Sequence, residues 1–245
     1  MVPEVPAAPP ATYEEVAAMI DHSLLRPELT DEELLAGCAL ARRYGVAAVM
    51  VRPCDIETAA RALQGSAVKV GSVAGFPHGS STTAVKLYEA RDALRRGARE
   101  IDMVINIPRL LSRQFQYLES ELLQMADTCH QEGALLKVIF ENAWLTDELK
   151  IVACRLCARA GADFAKTSTG FAPSGYTAAD VRLMRAHLPE EIGVKAAGGV
   201  RTLETLLEAR AAGAARIGAT ATAAILDAWK AELEQRRTGG PAVVS

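Results

Sequence analysis

Seven short apolar runs of β type recur along the chain, separated by stretches whose apolar residues follow helical spacing. This alternation constrains the fold more than any other feature. The runs are VAAVMV from Val46, VKVGSVAGF from Val68, EIDMVINI from Glu100, LLKVIFE from Leu135, ADFAKTST from Ala162, IGVKAAGG from Ile192 and AARIGAT from Ala214. A shorter eighth, MIDHSLL, begins at Met19. Continuous apolar runs suit strands buried on both faces, as in a parallel sheet covered by helices. The first long intervening stretch, TDEELLAGCALARRYG, opens with Thr30 as N-cap and Glu33 completing a capping box, and ends at Gly45. Further helices are expected from about Thr82 to Arg96, Leu118 to Gln131, Asp147 to Arg159, Ala178 to Ala186 and Leu203 to Ala211. In RRGARE, ARAGAD and ARAAGAAR a helix-ending glycine stands just before a strand, as in αβ loops.

Eight strands with intervening helices, repeating at roughly 25–35 residues, predict an α/β fold with a single-domain (β/α)8 TIM barrel. A length of 245 residues suits one such barrel. A doubly wound open sheet is the competing architecture, but no GxGxxG follows the first strand. The expected domain layout is a disordered lead-in over 1–11, the barrel over 12–237 and a flexible tail over 238–245. With 50% hydrophobic and 23% charged residues the chain can bury a large core, which excludes general disorder. A formal net charge of -3 leaves no basic excess for a nucleic-acid partner. No run of about 18 apolar residues predicts a membrane span, and MVPEVPAAPPAT lacks the features of a signal peptide. A cytoplasmic protein is expected. Its five cysteines read as reduced, buried thiols; Cys154 and Cys157 have no partner pair that would make a metal site.

Charge within apolar strands is the signal for chemistry, because an unpaired buried charge costs several kcal/mol. Asp21, His22, Lys69, Asp102, Lys137, Glu141, Lys166 and Lys195 all meet that description. Lys69 follows Val68 at a strand start and is expected to be solvated at the bottom face. Lys166 and Lys195 lie in consecutive strands, FAKTSTG and GVKAAGG, each followed by small residues. Two lysines paired with carboxylates would be a purely structural explanation. The chemical one is a Schiff-base site, which needs an unprotonated amine. Only about one free lysine in 2500 is neutral at pH 7. A second ammonium about 5 Å away adds roughly 3 kcal/mol of repulsion at an effective dielectric near 20, lowering the pKa by about 2 units. Asp102 can move protons at a substrate carbon, serve as an ion partner of Lys137, or do both. Gly198, Gly199 and Gly218 precede helices near Thr202 and Thr222, where backbone amides can meet a phosphate.

These motifs resemble deoxyribose-phosphate aldolase, a class I, Schiff-base aldolase family. IDHSLLRPELT, GFPHGSSTTAVKLYEA, EIDMVINI, LKVIFE, GADFAKTSTGF and GVKAAGGVRT follow the family's order from about Ile20 to Ile225. The resemblance implies reversible cleavage of 2-deoxy-D-ribose 5-phosphate to acetaldehyde and D-glyceraldehyde 3-phosphate, in nucleoside catabolism. It assigns the Schiff base to Lys166, pKa lowering to Lys195 and proton transfer to Asp102. It gives Asp21, Ser23 and Lys137 supporting roles, and substrate or phosphate contacts to Thr167, Gly198, Gly199, Gly218, Ala219 and Thr220. No metal and no organic cofactor are implied; the partners are a small sugar phosphate or aldehyde and further copies of the chain, as a homodimer or higher oligomer. The chain departs from the pattern in GATAT, where a GTSSG-like turn with two serines is usual, and Thr220 or Thr222 is the candidate replacement hydroxyl. It also carries Pro108 for a glycine and Arg52 for a smaller polar residue, and ends in Val-Val-Ser without a tyrosine. Two alternatives stay open: the same enamine chemistry on an unphosphorylated aldehyde, and a catalytically inactive sugar-phosphate-binding barrel.

Overall fold

The computed structural model describes residues 10–238. Eight strands appear in chain order: β1 (Ile20–Leu24), β2 (Ala48–Val51), β3 (Lys69–Ala74), β4 (Glu100–Val104), β5 (Leu135–Ile139), β6 (Phe164–Lys166), β7 (Gly193–Ala197) and β8 (Arg216–Ala219). Each pairs in parallel with its neighbour, and β8 returns to β1 through Ile20 opposite Ile217, closing the barrel. The helices are α1 (Tyr13–Ala17), α2 (Asp31–Tyr44), α3 (Ile56–Ala62), α4 (Thr83–Arg95), α5 (Ile107–Leu111), α6 (Phe115–Gln131), α7 (Asp147–Ala160), α8 (Ala178–His187), α9 (Leu203–Ala211) and α10 (Thr222–Thr238).

Local chemistry sets the boundaries. Thr30 and Glu33 form the capping box of α2, whose end is fixed by Gly45 in the left-handed region at φ 64°. Along α6, Leu118, Leu122, Met125 and Cys129 recur at helical spacing and are fully buried. They join outward-facing strand residues such as Ile101, Met103, Leu136 and Val138 in a continuous apolar jacket. Inside the barrel the apolar content is small: Leu25, Met50 and Val73 form a separate cluster.

Four structural details differ from the sequence expectations. ADFAKTST contributes a strand of three residues, and LLKVIFE stops at Ile139, because Glu141 leaves the β region at φ 57°. Pro10 and Ala11, expected in the lead-in, are tied down by bonds to Arg236 and Glu15. Residues 1–9 and 239–245, which hold the rest of the lead-in and nearly all of the tail, lie outside the described residues. Cys38, Cys129, Cys154 and Cys157 are buried thiols, but Cys54 is exposed in the loop after β2. Among the described residues no helix is long and apolar enough to cross a membrane.

Candidate active site

Strand register explains how the two lysines meet. Lys166 on β6 stands directly opposite Lys195 on β7, and Lys195 opposite Arg216 on β8. Paired residues of neighbouring strands point to the same face, so all three cations enter the barrel. Asp102 faces them from β4, paired with Lys137 on β5. One oxygen of Asp102, Oδ2, accepts hydrogen bonds from Lys166 Nζ and from Lys195 Nζ, each at 2.7 Å. Its other oxygen, Oδ1, accepts from Lys137 Nζ at 2.9 Å. Asp21 Oδ2 also meets Lys195, and lies 3.2 Å from Lys137. Below this layer Glu100 pairs with Lys137. Arg216 spans Asp21 at 2.6 Å and Glu100 at 3.3 Å.

Electrostatics follow from that packing. Burial drives Lys166 down to about 8; Asp102 works against the shift, while the Lys195 and Lys137 ammoniums add to it. Desolvation is therefore the larger cause, whereas the sequence argument put repulsion between lysines first. At pH 7 about one Lys166 in ten is neutral, against one in 2500 for a free lysine. Burial alone would raise Asp102, but Lys137, Lys166 and Lys195 outweigh it and hold the carboxyl well below its usual range. Burial alone would lower Lys137, yet Asp102, Asp21 and Glu100 together raise it.

Above the ion cluster, at the C-terminal ends of the strands, opens a cavity of about 300 Å³. Asp21, Ser23, Lys166, Lys195, Gly198, Gly199, Gly218, Ala219 and Thr220 line it. Asp102 and Lys137 reach it through their bonds to those groups. Thr167 does not line it: its hydroxyl is fully buried, bonded to the Ala197 backbone at 3.2 and 3.3 Å, and clasps β6 to β7. Thr222 is also occupied, its hydroxyl 2.9 Å from His22 Nδ1, so Thr220 is the hydroxyl left at the GATAT turn. Arg52 is engaged with Asp55 and the Pro27 carbonyl, and Pro108 lies in the first turn of α5.

Several wall residues escape a reading of strands alone. Arg26, Arg201 and the loop Thr169–Gly170–Phe171 line the cavity. Arg201 stands two residues after the glycine pair in GGVRT, a placement that could have flagged it. The Thr169 loop is pinned by Glu141, whose carboxylate accepts from the backbone N–H and the hydroxyl of Thr169. Behind the glycine turn the chain touches itself. A Cβ on Gly175 would stand 2.0 Å from the Gly198 carbonyl oxygen, and Tyr176 N–H donates to Ala197 and Gly198 at 3.0 Å. The loop after β6 thus buttresses the turn after β7.

A shared carboxylate oxygen between two registered strand lysines, under a cavity rimmed by backbone amides, is an arrangement for amine–carbonyl chemistry. Comparison with known proteins points the same way. The family model described as DeoC/LacD family aldolase matches residues 15–231. The chain is 46% identical over 221 residues to the deoxyribose-phosphate aldolase of Rhodopirellula baltica, covering 90% of this chain and 92% of that one. It is 46% identical over 216 residues to that of Caldanaerobacter subterraneus, covering 88% and 94%. The tetrameric deoxyribose phosphate aldolase from Aeropyrum pernix superimposes with a TM-score of 0.83 at 32% identity, covering 90% of this chain and 93% of that chain. With the model spanning nearly the whole barrel and relatives close to half identical along it, this chain belongs to the DeoC/LacD family of aldolases.

Proposed function

We propose that the protein cleaves 2-deoxy-D-ribose 5-phosphate reversibly to acetaldehyde and D-glyceraldehyde 3-phosphate, with Lys166 as the amine that carries the substrate. The observation that carries this reading is the buried, weakly basic Lys166 held at 2.7 Å from a carboxylate that a second lysine shares. The names of the relatives support the substrate.

In this mechanism neutral Lys166 adds to the C1 aldehyde of the open-chain sugar, and loss of water gives a protonated imine. A base removes the C3 hydroxyl proton. The C2–C3 electron pair then moves toward the iminium, releasing glyceraldehyde 3-phosphate and leaving an enamine. Protonation at C2 and hydrolysis free acetaldehyde and restore Lys166. Asp102 Oδ2 touches both lysine nitrogens, so it passes protons between them and the substrate, and three ammoniums keep it ionised at rest. Backbone amides at Gly198, Gly199 and Ala219, with Arg201 and Arg26 on the wall, face the phosphate end. The cavity takes a small molecule; we assign the protein to the cytoplasm and to a homodimer or larger assembly, which the tetrameric Aeropyrum relative supports and light scattering would test.

Borohydride with acetaldehyde tests the central assignment. It should add mass to the peptide containing Lys166, and Lys166→Ala should abolish the adduct. Full labelling in Lys166→Ala would refute the role.

A further inference from the structure

We propose that Arg216 and Glu100, a layer below the reacting amine, are positioning residues that set the protonation state of Lys166 through the charge count of the sealed barrel interior. The inference rests on Lys166 being the reacting amine.

The cluster contains three carboxylates, Asp21, Glu100 and Asp102, and four basic groups, Lys137, Lys166, Lys195 and Arg216. Fully ionised it carries one surplus positive charge; with one lysine neutral it balances. A dry interior favours the balanced state, because net charge there meets little compensating solvent. The contacts say which group yields. Lys137 touches three carboxylates, and Lys195 and Arg216 touch two each. Among the described residues Lys166 touches one carboxylate, Asp102. Of the two lysines on the cavity wall, Lys166 and Lys195, the less compensated is Lys166, and it is the one that gives up its proton.

Arg216 is the fixed counterweight in this account. A guanidinium stays protonated at all working pH values. Its side chain is 12% exposed and lies over the Phe164 ring, so water screens it little. Two strand spacings separate it from Lys166, about 10 Å. Glu100 is the matching anion, 4% exposed.

The other groups around the amine do not vary with these two. Glu141, after β5, faces Lys166 but spends its carboxylate on Thr169, and burial raises its pKa. Arg26 and Arg201 on the cavity wall are solvent-exposed. From β2 comes Met50, whose sulfur meets Lys137. From β3 Ser72 bonds the Val51 carbonyl, and Lys69 is exposed. His22 points away from the lumen to Thr222. Each contributes equally to the wild type and to the variants below.

The test is the pH dependence of borohydride trapping by acetaldehyde, with the label mapped to Lys166. Removing the cation in Arg216→Met lets Lys166 keep its proton. The midpoint should rise by about one pH unit, from repulsion across about 10 Å at an effective dielectric near 20. Removing the anion in Glu100→Gln should move it in the opposite direction, and Arg216→Lys should restore the wild-type midpoint. A purely structural role would lower yield without moving the midpoint. An unmoved midpoint, or movement of both charge variants in one direction, overturns the proposal. If Arg216→Met does not fold, the direction of the Glu100→Gln shift decides. Absence of label on Lys166 in the wild type would remove the aldolase reading, and this inference with it.

Discussion

The interior of the barrel and the jacket around it solve opposite problems. In the jacket, strand faces and helices meet through apolar side chains such as Ile101, Leu122 and Trp229, and charge is handled in closed local units. Lys86, fully buried between α4 and β4, is satisfied by Glu121 at 2.9 Å and the Val104 carbonyl at 2.8 Å. In the lumen no such partition exists: Asp102 serves three lysines, and Lys137 serves three carboxylates. Burial lowers the pKa of Lys86 as well, but Glu121 and Glu89 oppose the shift and no second ammonium adds to it. A shared, odd-numbered set has one proton that can leave, and our proposal places the amine chemistry there.

If that contrast is right, the two regions fail differently. The largest loss is expected for Lys137→Met, which strips three carboxylates of a common partner and should cost about 3–5 kcal/mol in denaturant unfolding. It should also displace the pH profile of imine trapping. Leu122→Ala, in the jacket, should cost about 3 kcal/mol through its cavity, with the trapping profile unchanged in the folded fraction. A moved profile in Leu122→Ala would erase the distinction.

His22 sharpens it further, being a titratable group on the jacket side. Burial pushes its imidazole down to about 4, below an unfolded value of about 6.5. Between those values the unfolded chain binds a proton that the folded chain refuses. Its penalty is therefore absent above pH ~6.5 and grows as pH falls toward 4, reaching about 3 kcal/mol. Comparing acid unfolding of the wild type with His22→Gln should show a shallower slope in the variant over that window. Parallel curves would mean the imidazole is not buried neutral.

The smallest effect belongs to the rim, which depends on backbone donors. Replacing Ala219-Thr220-Ala221 by Thr-Ser-Ser, with Thr222 kept as the partner of His22, adds hydroxyls worth about 1–3 kcal/mol against a charged oxygen. It should raise kcat/KM for the phosphorylated sugar by about 10–100-fold and leave free deoxyribose nearly unchanged. Equal gains on both sugars would favour the unphosphorylated substrate and move the phosphate contact elsewhere.

The fold was legible because most strand runs are set off by helix caps such as Thr30 and Thr146 and by glycine stops such as Gly45 and Gly161, and all eight strands appear where the apolar runs stand. Lys166, Lys195, Asp102 and Asp21 were legible for a related reason: charge inside an apolar run must be used or paired. Glu100 and Arg216 were not. Like Lys69, each is the first residue of its strand. Yet Lys69 is exposed, whereas Glu100 and Arg216 turn inward. The stagger that closes a barrel sets how far each strand start sits below the lumen, and no single strand's sequence carries it. Thr167 was expected at the cavity by proximity: next to Lys166 along the chain, it points out of the cavity because side chains alternate.

The contact between Gly175 and Gly198 has a consequence for how such barrels can be recombined. Neither backbone leaves room for a side chain at the other, so the two loops share one seam although about twenty residues separate them in sequence. A chimaera that imports either loop alone from a relative inherits half of that seam. Grafts should therefore succeed as a cassette running from the loop after β6 through the turn after β7, and crossovers inside it should be the ones that lose function.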